Sequence, residues 1–300
     1  MIPLRVSVIL PAKDEEGCIA AVVADIGRSL ADIVHEIIVI DDGSTDATAA
    51  RVRAMMPTSP NLRLLRHDRA CGQSAAIRTG VLAARADLVA TLDADGQNPP
   101  AELVAVLAPF LKGRRDPRLG LVQGQRAARQ DALSRRLASR MANRLRARLL
   151  VDGLRDSACG LKAFPREVYL RLPYFDHIHR FMAAMVLREG FTVLPVEVSH
   201  APRLSGRSKY GNLGRAMVGV VDLLGTVWLL RRRKLPSALE VVGEDRGAAT
   251  WSSPSLPRGH ETDFDICAGP VAASWQACPS AMFGRPRDPR VPCMAAPVRR

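Results

Sequence analysis

Short apolar runs alternate along the chain with stretches of helical spacing. Residues 6–10 (Val-Ser-Val-Ile-Leu) read as a first strand. Ile19, Val22, Val23, Ile26 and Leu30 then recur at the three- and four-residue intervals of one helix face. A second buried strand at 37–40 leads into Gly43-Ser44-Thr45-Asp46, turn and helix-start residues that precede a helix from Ala47 to Met56. The same rhythm continues with a strand at 62–66, a helix from Gly72 to Ala84, a strand at 88–92, a helix at 101–111 and strands at 119–124 and 192–198. Strand–helix alternation of this kind predicts an α/β fold, a mostly parallel sheet with helices on both faces. In such sheets ligands bind beyond the carboxyl ends of the strands.

Three acidic clusters sit at predicted strand ends: Asp14-Glu15-Glu16, Asp41-Asp42 and Asp93-x-Asp95. Each alone is explained by helix capping, and Asp14 is placed to cap the first helix. Three together predict one cleft lined with carboxylates. At 93–97, read as an extended segment, alternation puts Asp93, Asp95 and Gln97 on one side of the chain. Oxygen donors at that spacing suit a hard divalent cation, Mg²⁺ or Mn²⁺. No Gly-x-Gly-x-x-Gly follows the first strand, and no Gly-Lys-Ser/Thr phosphate loop is present. A bound nucleotide is therefore expected to be held through carboxylates and metal.

Charge narrows the partner. The chain carries 43 Lys+Arg against 30 Asp+Glu, a net +13, and all but +1 of that excess lies before residue 243. An anionic partner follows: nucleic acid, a phosphorylated ligand or an acidic membrane face. Seven Phe and three Tyr offer little for base stacking, and no nucleic-acid-binding motif is present, which disfavours nucleic acid. From 133 to 149 the residues Leu133, Leu137, Met141, Leu145 and Leu149 form an apolar stripe. Arg135, Arg136, Arg140, Arg144 and Arg148 fill the other faces with no acidic residue among them. Such a basic amphipathic helix favours an anionic membrane surface, and arginine forks suit phosphate oxygens. A second apolar helix at 213–230, broken by Asp222 and ending in Arg231-Arg232-Arg233-Lys234, reads either as interfacial or as core. No window reaches the roughly 18 unbroken apolar residues of a membrane span. The first strand begins too early for a signal peptide, which points to a cytoplasmic protein, peripherally associated with the cytoplasmic face of a membrane. The six cysteines show no Cys-x-x-Cys pair and no His at zinc spacing; they read as reduced thiols without a metal. His177 and His179 read as packing or surface residues. Residues 243–300 hold eight of the 21 prolines and no apolar period, and are expected to form an irregular or disordered tail.

The motifs Pro-Ala-Lys-Asp-Glu-Glu (11–16), Asp-Asp-Gly-Ser-Thr-Asp (41–46) and Asp-Ala-Asp-Gly-Gln (93–97) resemble those of the inverting GT-A glycosyltransferases of family 2. Arg126, Arg135-Arg136-x-x-Ser139, Asp156-Ser-Ala-Cys-Gly160-Leu-Lys162 and Arg203-x-x-Gly206-x-Ser208-Lys209-Tyr210 narrow the likeness. They are similar to the dolichol-phosphate mannosyltransferases and polyprenyl-phosphate glycosyltransferases. The resemblance covers about residues 5–235 and implies a Rossmann-like GT-A catalytic domain at 1–235. It implies transfer of a sugar from a nucleotide diphosphate to a polyprenyl phosphate, dolichyl or undecaprenyl. By the same likeness Pro11, Ala12, Glu15, Asp41 and Asp42, with Asp93, Ala94, Asp95 and Arg126, would hold the nucleotide. Asp93, Asp95 and Gln97 would hold the metal, and Arg135, Ser139, Arg203 and Lys209 the acceptor phosphate. Asp93, Asp95 and Asp156 are the catalytic candidates. Asp14 departs from the family's usual Asn, and Cys159 from its usual Ser or Thr. Two rivals stand beside this reading. One is a family 2 transferase acting on a sugar hydroxyl in surface polysaccharide synthesis, which needs a carboxylate base. The other is a non-enzymatic basic module that binds membrane or nucleic acid.

Overall fold

The computed structural model describes residues 4–111, 116–126, 149–150, 152–199 and 212–233, and only the backbone at 212–217. Seven strands form one sheet: β1 (Val6–Ala12), β2 (His35–Asp41), β3 (Leu62–Arg66), β4 (Leu88–Thr91), β5 (Leu119–Arg126), β6 (Lys162–Pro165) and β7 (Thr192–Val198). Their order is β3-β2-β1-β4-β6-β5-β7. All pairings are parallel except those of β6, which runs antiparallel to both β4 and β5. The predicted α/β sheet is therefore present as a mostly parallel, mixed sheet. The sequence pattern does not announce β6, four residues beginning with a buried lysine.

Burial on both faces explains the near-continuous apolar strands. Val6, Val8, Leu10 and Ala12 of β1 enter one core layer and Ile9 the other; Ile37 and Val39 of β2 divide in the same way from Ile38 and Ile40. Helices α1 (Ile19–Ser29), α2 (Thr48–Met55) and α4 (Leu103–Leu111) cover the first layer. Helices α3 (Gln73–Ala83), α5 (Arg166–Arg171) and α6 (Ile178–Arg188) cover the second. A buried polar node ties the sheet to α3: Glu36 accepts from Ser7 Oγ, Arg63 and the Arg85 N–H, each at 2.7 Å. Burial alone would raise its pKa, but these donors hold the carboxyl below its ordinary value.

Helix α7 (Asn212–Arg231) lies against α6 through Leu223, Val227 and Leu230. Its other face shows Val218, Val220, Val221, Leu224 and Trp228 to solvent, with Val221 65 % and Leu224 61 % exposed. One face of this segment is therefore packed as core and the other is an exposed apolar surface. Asp222, which interrupts the apolar run, pairs with His177 at 2.8 Å. Among the described residues no helix is long and apolar enough to cross a membrane. The arginine-rich segment 133–149, apart from Leu149, lies outside the described residues, and so does the segment 243–300.

Candidate active site

The strand order reverses direction between β1 and β4, and the carboxyl ends of β1, β2 and β4 open on the same side of the sheet. The loops after β1 and β2 are laced together. Asp14 N–H donates to Ser44 Oγ, while its carboxylate accepts from Thr45 N–H and Oγ–H. Glu15 N–H donates to Thr48 Oγ1, Glu16 N–H to Asp46, and Ala47 N–H to Glu16. This corrects the capping expectation for Asp14. Helix α1 begins at Ile19 behind Cys18, and Asp14 stands in the left-handed region at φ 52°. Asn and Asp are the non-glycine residues that tolerate that region best, so the substitution of Asp for Asn retains the backbone conformation. Pro11 and Ala12 close β1 beside Ile40 and Asp41.

Asp41, fully buried, accepts from Ser44 N–H through Oδ1. Arg66 Nε stands 3.0 Å from Oδ2 but out of line, so that oxygen makes no hydrogen bond. Asp42 points elsewhere. It accepts from Cys71 N–H, Gly72 N–H and His67 Nδ1, each at 2.8 Å, and so anchors the loop between β3 and α3. Burial would raise its pKa, but these donors hold it below the ordinary value.

Beyond β4 the chain turns instead of running on extended. Asp95 Oδ1 accepts from Gln97 N–H, and Gly96 takes φ 73°. Strand alternation therefore does not set the sides of Asp93, Asp95 and Gln97; the turn brings the two carboxylates together. Ala94 lies buried in the core beneath it. Asp93 accepts from Gln73 Nε2 (2.7 Å) and Asn98 Nδ2 (3.2 Å). Burial, then repulsion from Asp95, raises its pKa, against the attraction of Lys162 and Arg126. Lys162 is itself buried and pushed down by burial; its ammonium donates to the carbonyls of Cys159 and Ser157. Gly160 leaves room for Asp93: a Cβ there would stand 2.2 Å from Asp93 Oδ2. Thr91 Oγ–H donates to Gly160 O at 2.6 Å and fixes that approach. Cys159, a buried thiol, packs where a Cβ on Gly124 would meet it at 3.1 Å, so a small side chain is required.

At the end of β5, Arg126 grips Asp156 with two bonds, Nε to Oδ2 at 2.5 Å and a terminal nitrogen to Oδ1 at 3.0 Å. Gln125 holds the segment in place: its Oε1 accepts from Arg155 and Asp156 N–H, and its Nε2 donates to Asp156 O. Burial would raise Asp156, but the guanidinium outweighs it and keeps the carboxyl low. Asp93 and Asp156 thus face two cations, Lys162 and Arg126, and Asp93 and Asp95 repel each other. A divalent cation fits that donor set, since it would relieve the repulsion with hard oxygen ligands. Gln73, Asn98 and Lys162 were not marked as site residues by pattern; the polar Gly72-Gln73 and Gln97-Asn98 beside the turns were the available signal. Arg135, Ser139, Arg203 and Lys209 lie outside the described residues.

Residues 7–172 match the family described as Glycosyl transferase family 2. The chain is 31 % identical over 239 residues to dodecaprenyl-phosphate galacturonate synthase of Rhizobium johnstonii, covering 78 % of this chain and 69 % of that protein. It is 31 % identical over 209 residues to undecaprenyl-phosphate 4-deoxy-4-formamido-L-arabinose transferase of Aeromonas hydrophila, covering 69 % of this chain and 63 % of the relative. The fold resembles Mycobacterium tuberculosis glucosyl-3-phosphoglycerate synthase solved with Mn²⁺, uridine diphosphate and glucosyl-3-phosphoglycerate. There the TM-score is 0.57 at 23 % identity, over 82 % of this chain and 87 % of that one. A mannosyltransferase from Pyrobaculum calidifontis, solved with GDP-mannose and Mn²⁺, has a TM-score of 0.56 at 23 % identity, over 77 % and 66 %.

Proposed function

The chain belongs to glycosyl transferase family 2, and we propose from that premise that it moves a sugar from a nucleotide diphosphate to a polyprenyl phosphate with inversion at the anomeric carbon. The named activities of both relatives, each on a polyprenyl phosphate, support this reading. The observation in the site that favours it over transfer to a sugar hydroxyl is the Arg126–Asp156 pair. A hydroxyl acceptor needs a carboxylate free to take its proton. Asp156 is held by two guanidinium bonds and kept a weak base. A phosphate monoester, with a second pKa near ~6, arrives largely ionised and needs no such base.

In this reading Pro11, Ala12, Glu15 and Asp41 line the nucleoside side of the cleft, where Asp41, buried and paired with Arg66, fixes the loop after β2 through Ser44. Asp42 acts one step back, by fixing the loop between β3 and α3. Held by Asp93 and Asp95, with Gln97 as a further oxygen, Mg²⁺ or Mn²⁺ would supply Lewis-acid help to the departing diphosphate. Gln73 and Asn98 orient Asp93, and Lys162 balances the buried charge behind it. Arg126 keeps Asp156 ionised and fixed at the rim. Arg135, Ser139, Arg203 and Lys209 would gather the acceptor phosphate. An oxygen of that phosphate forms the bond to the anomeric carbon as the bond to the diphosphate breaks, and positioning by arginine carries the catalysis.

The exposed apolar face of α7 supports docking on the membrane that carries such a lipid. It ends at Arg231, Arg232 and Arg233, and Arg232 lies over the Trp228 ring at 5.3 Å. Amphipathic helices with aromatic and basic residues lie in the interface plane in this way. The catalytic domain is assigned to residues 1–235, with 243–300 outside it, and the working side is taken to be cytoplasmic.

The test is incubation of the chain with labelled nucleotide sugars, Mn²⁺ and a short-chain polyprenyl phosphate, beside Asp95→Asn. Label is expected in the lipid fraction with the unaltered chain and is expected to vanish with Asp95→Asn at unchanged melting temperature. Wild-type-like rates for that variant at saturating Mn²⁺ would overturn the metal assignment.

A further inference from the structure

A second cluster, made of residues other than those of the Asp93–Asp95 turn, gathers beyond the carboxyl ends of β2 and β3. Asp42 follows β2, His67 follows β3, and Cys71 precedes α3; one donor atom from each lies within 4.8 Å of the other two. The reading of the cysteines as thiols without a metal passes over this trio, because its members converge only in the fold. We propose that Asp42, His67 and Cys71 form a binding site for a thiophilic divalent cation of the zinc class.

Oxygen, nitrogen and sulfur together are the donor types that zinc takes, commonly as three protein ligands with an open fourth position. Cys71 is exposed, so an ion can reach the trio from solvent. Hard cations prefer the all-oxygen turn at Asp93 and Asp95.

The site is built before any ion arrives. Asp42 fixes the backbone on both sides of the thiol through Cys71 N–H and Gly72 N–H. The same loop is pressed onto Gly43, where a Cβ would stand 2.6 Å from Ala70 N, so the loop sits closer than any other residue at 43 would permit. His67 is oriented from behind, its Nε2 lying 2.9 Å from Thr79 Oγ1. Outer contacts of that kind set the tautomer and direction of metal-binding histidines.

The proton balance is simple. Without metal, Nδ1–H donates to Asp42 and Nε2 accepts from Thr79. On binding, the imidazole proton moves to Nε2 and donates to Thr79 Oγ1, Nδ1 turns its lone pair to the cation, and the Cys71 thiol releases one proton.

The experiment is a Co²⁺ titration of the reduced full-length chain, followed by absorbance, with Zn²⁺ added at the end. One equivalent is expected to give a thiolate-to-cobalt charge-transfer band that Zn²⁺ erases; cobalt held by carboxylates alone gives no such band. Cys71→Ser, at an exposed position, should fold normally by its melting curve and lose the band. His67→Gln should weaken binding by about tenfold or more, since even outer-sphere partners of a metal site carry that much. No band in the unaltered chain overturns the site. So does a band that persists in Cys71→Ser, which would place the metal on other cysteines, or affinity unchanged in His67→Gln.

Discussion

Single atoms decide the chemistry at the turn after β4. Asp93 is wedged between Gln73, Asn98 and the Cα of Gly160, with Asp95 near enough to raise its pKa. Gly160→Ala places a methyl carbon 2.2 Å from Asp93 Oδ2, so the carboxylate must move. Displacement of a carboxylate proposed to hold the metal is expected to lower kcat more than tenfold, at a stability cost of about 1–3 kcal/mol. Steady-state rates beside a melting curve check this; an unchanged rate would show that Asp93 does not need its present position. The carboxylates themselves were legible in the sequence as an acidic pair at a strand end. Their arrangement was not, because it follows from a turn that Gly96 and the Asp95–Gln97 bond create. The place of Gln73 beside Asp93, and that of Lys162 behind it, were hidden for a different reason. Gln73 meets Asp93 across 20 residues of sequence, and a parallel sheet forms such contacts only after its crossovers close. The burial of Lys162 runs against any hydropathy pattern.

Two elements carry separate expectations. At the β1–β2–β3 edge, Glu36 holds Ser7, Arg63 and Arg85 together and is only 4 % exposed. Its folded pKa lies below the value of 4.5 that it has when free. Its contribution to stability is therefore full above about pH 4.5 and is lost as pH falls through the folded value. Glu36→Gln should cost about 1–3 kcal/mol at neutral pH and flatten the acid limb of the stability curve, read by urea melts from pH 7 to pH 3. An unaltered acid limb would place the pH dependence on other carboxylates. Helix α7 makes the second case. Trp228→Ala with Leu224→Ser removes two exposed apolar side chains and touches none of the inner contacts to α6. Vesicle binding should weaken by tenfold or more, on the basis of about 1.5–3 kcal/mol per buried side chain, while turnover with a water-soluble acceptor stays the same. Vesicle sedimentation at unchanged affinity would leave this face without its proposed partner. Sequence periodicity showed this helix and its charged end, but not which residues face α6, since Asp222 reads as a defect until His177 is seen beside it.

At the scale of the molecule, strand–helix alternation sufficed for the sheet because the central strands β1, β2 and β4 are apolar on both faces and the helices α1 and α3 each bury an apolar stripe against one of them. The reversal at β6 was not legible, and it matters most for function: it carries Lys162 to Asp93 and, through the preceding loop, Asp156 to Arg126. That loop turns the choice of acceptor into a physical question. Under the proposed function, the Arg126–Asp156 pair leaves the acceptor to arrive already ionised. The direct measurement is the initial rate of sugar transfer from one nucleotide sugar to a short polyprenyl phosphate and to the matching polyprenol, which differs only in lacking the phosphate. Transfer to the phosphate with none above background to the alcohol is the expected result, whereas comparable rates on both would contradict a phosphate nucleophile and return Asp156 to the role of base.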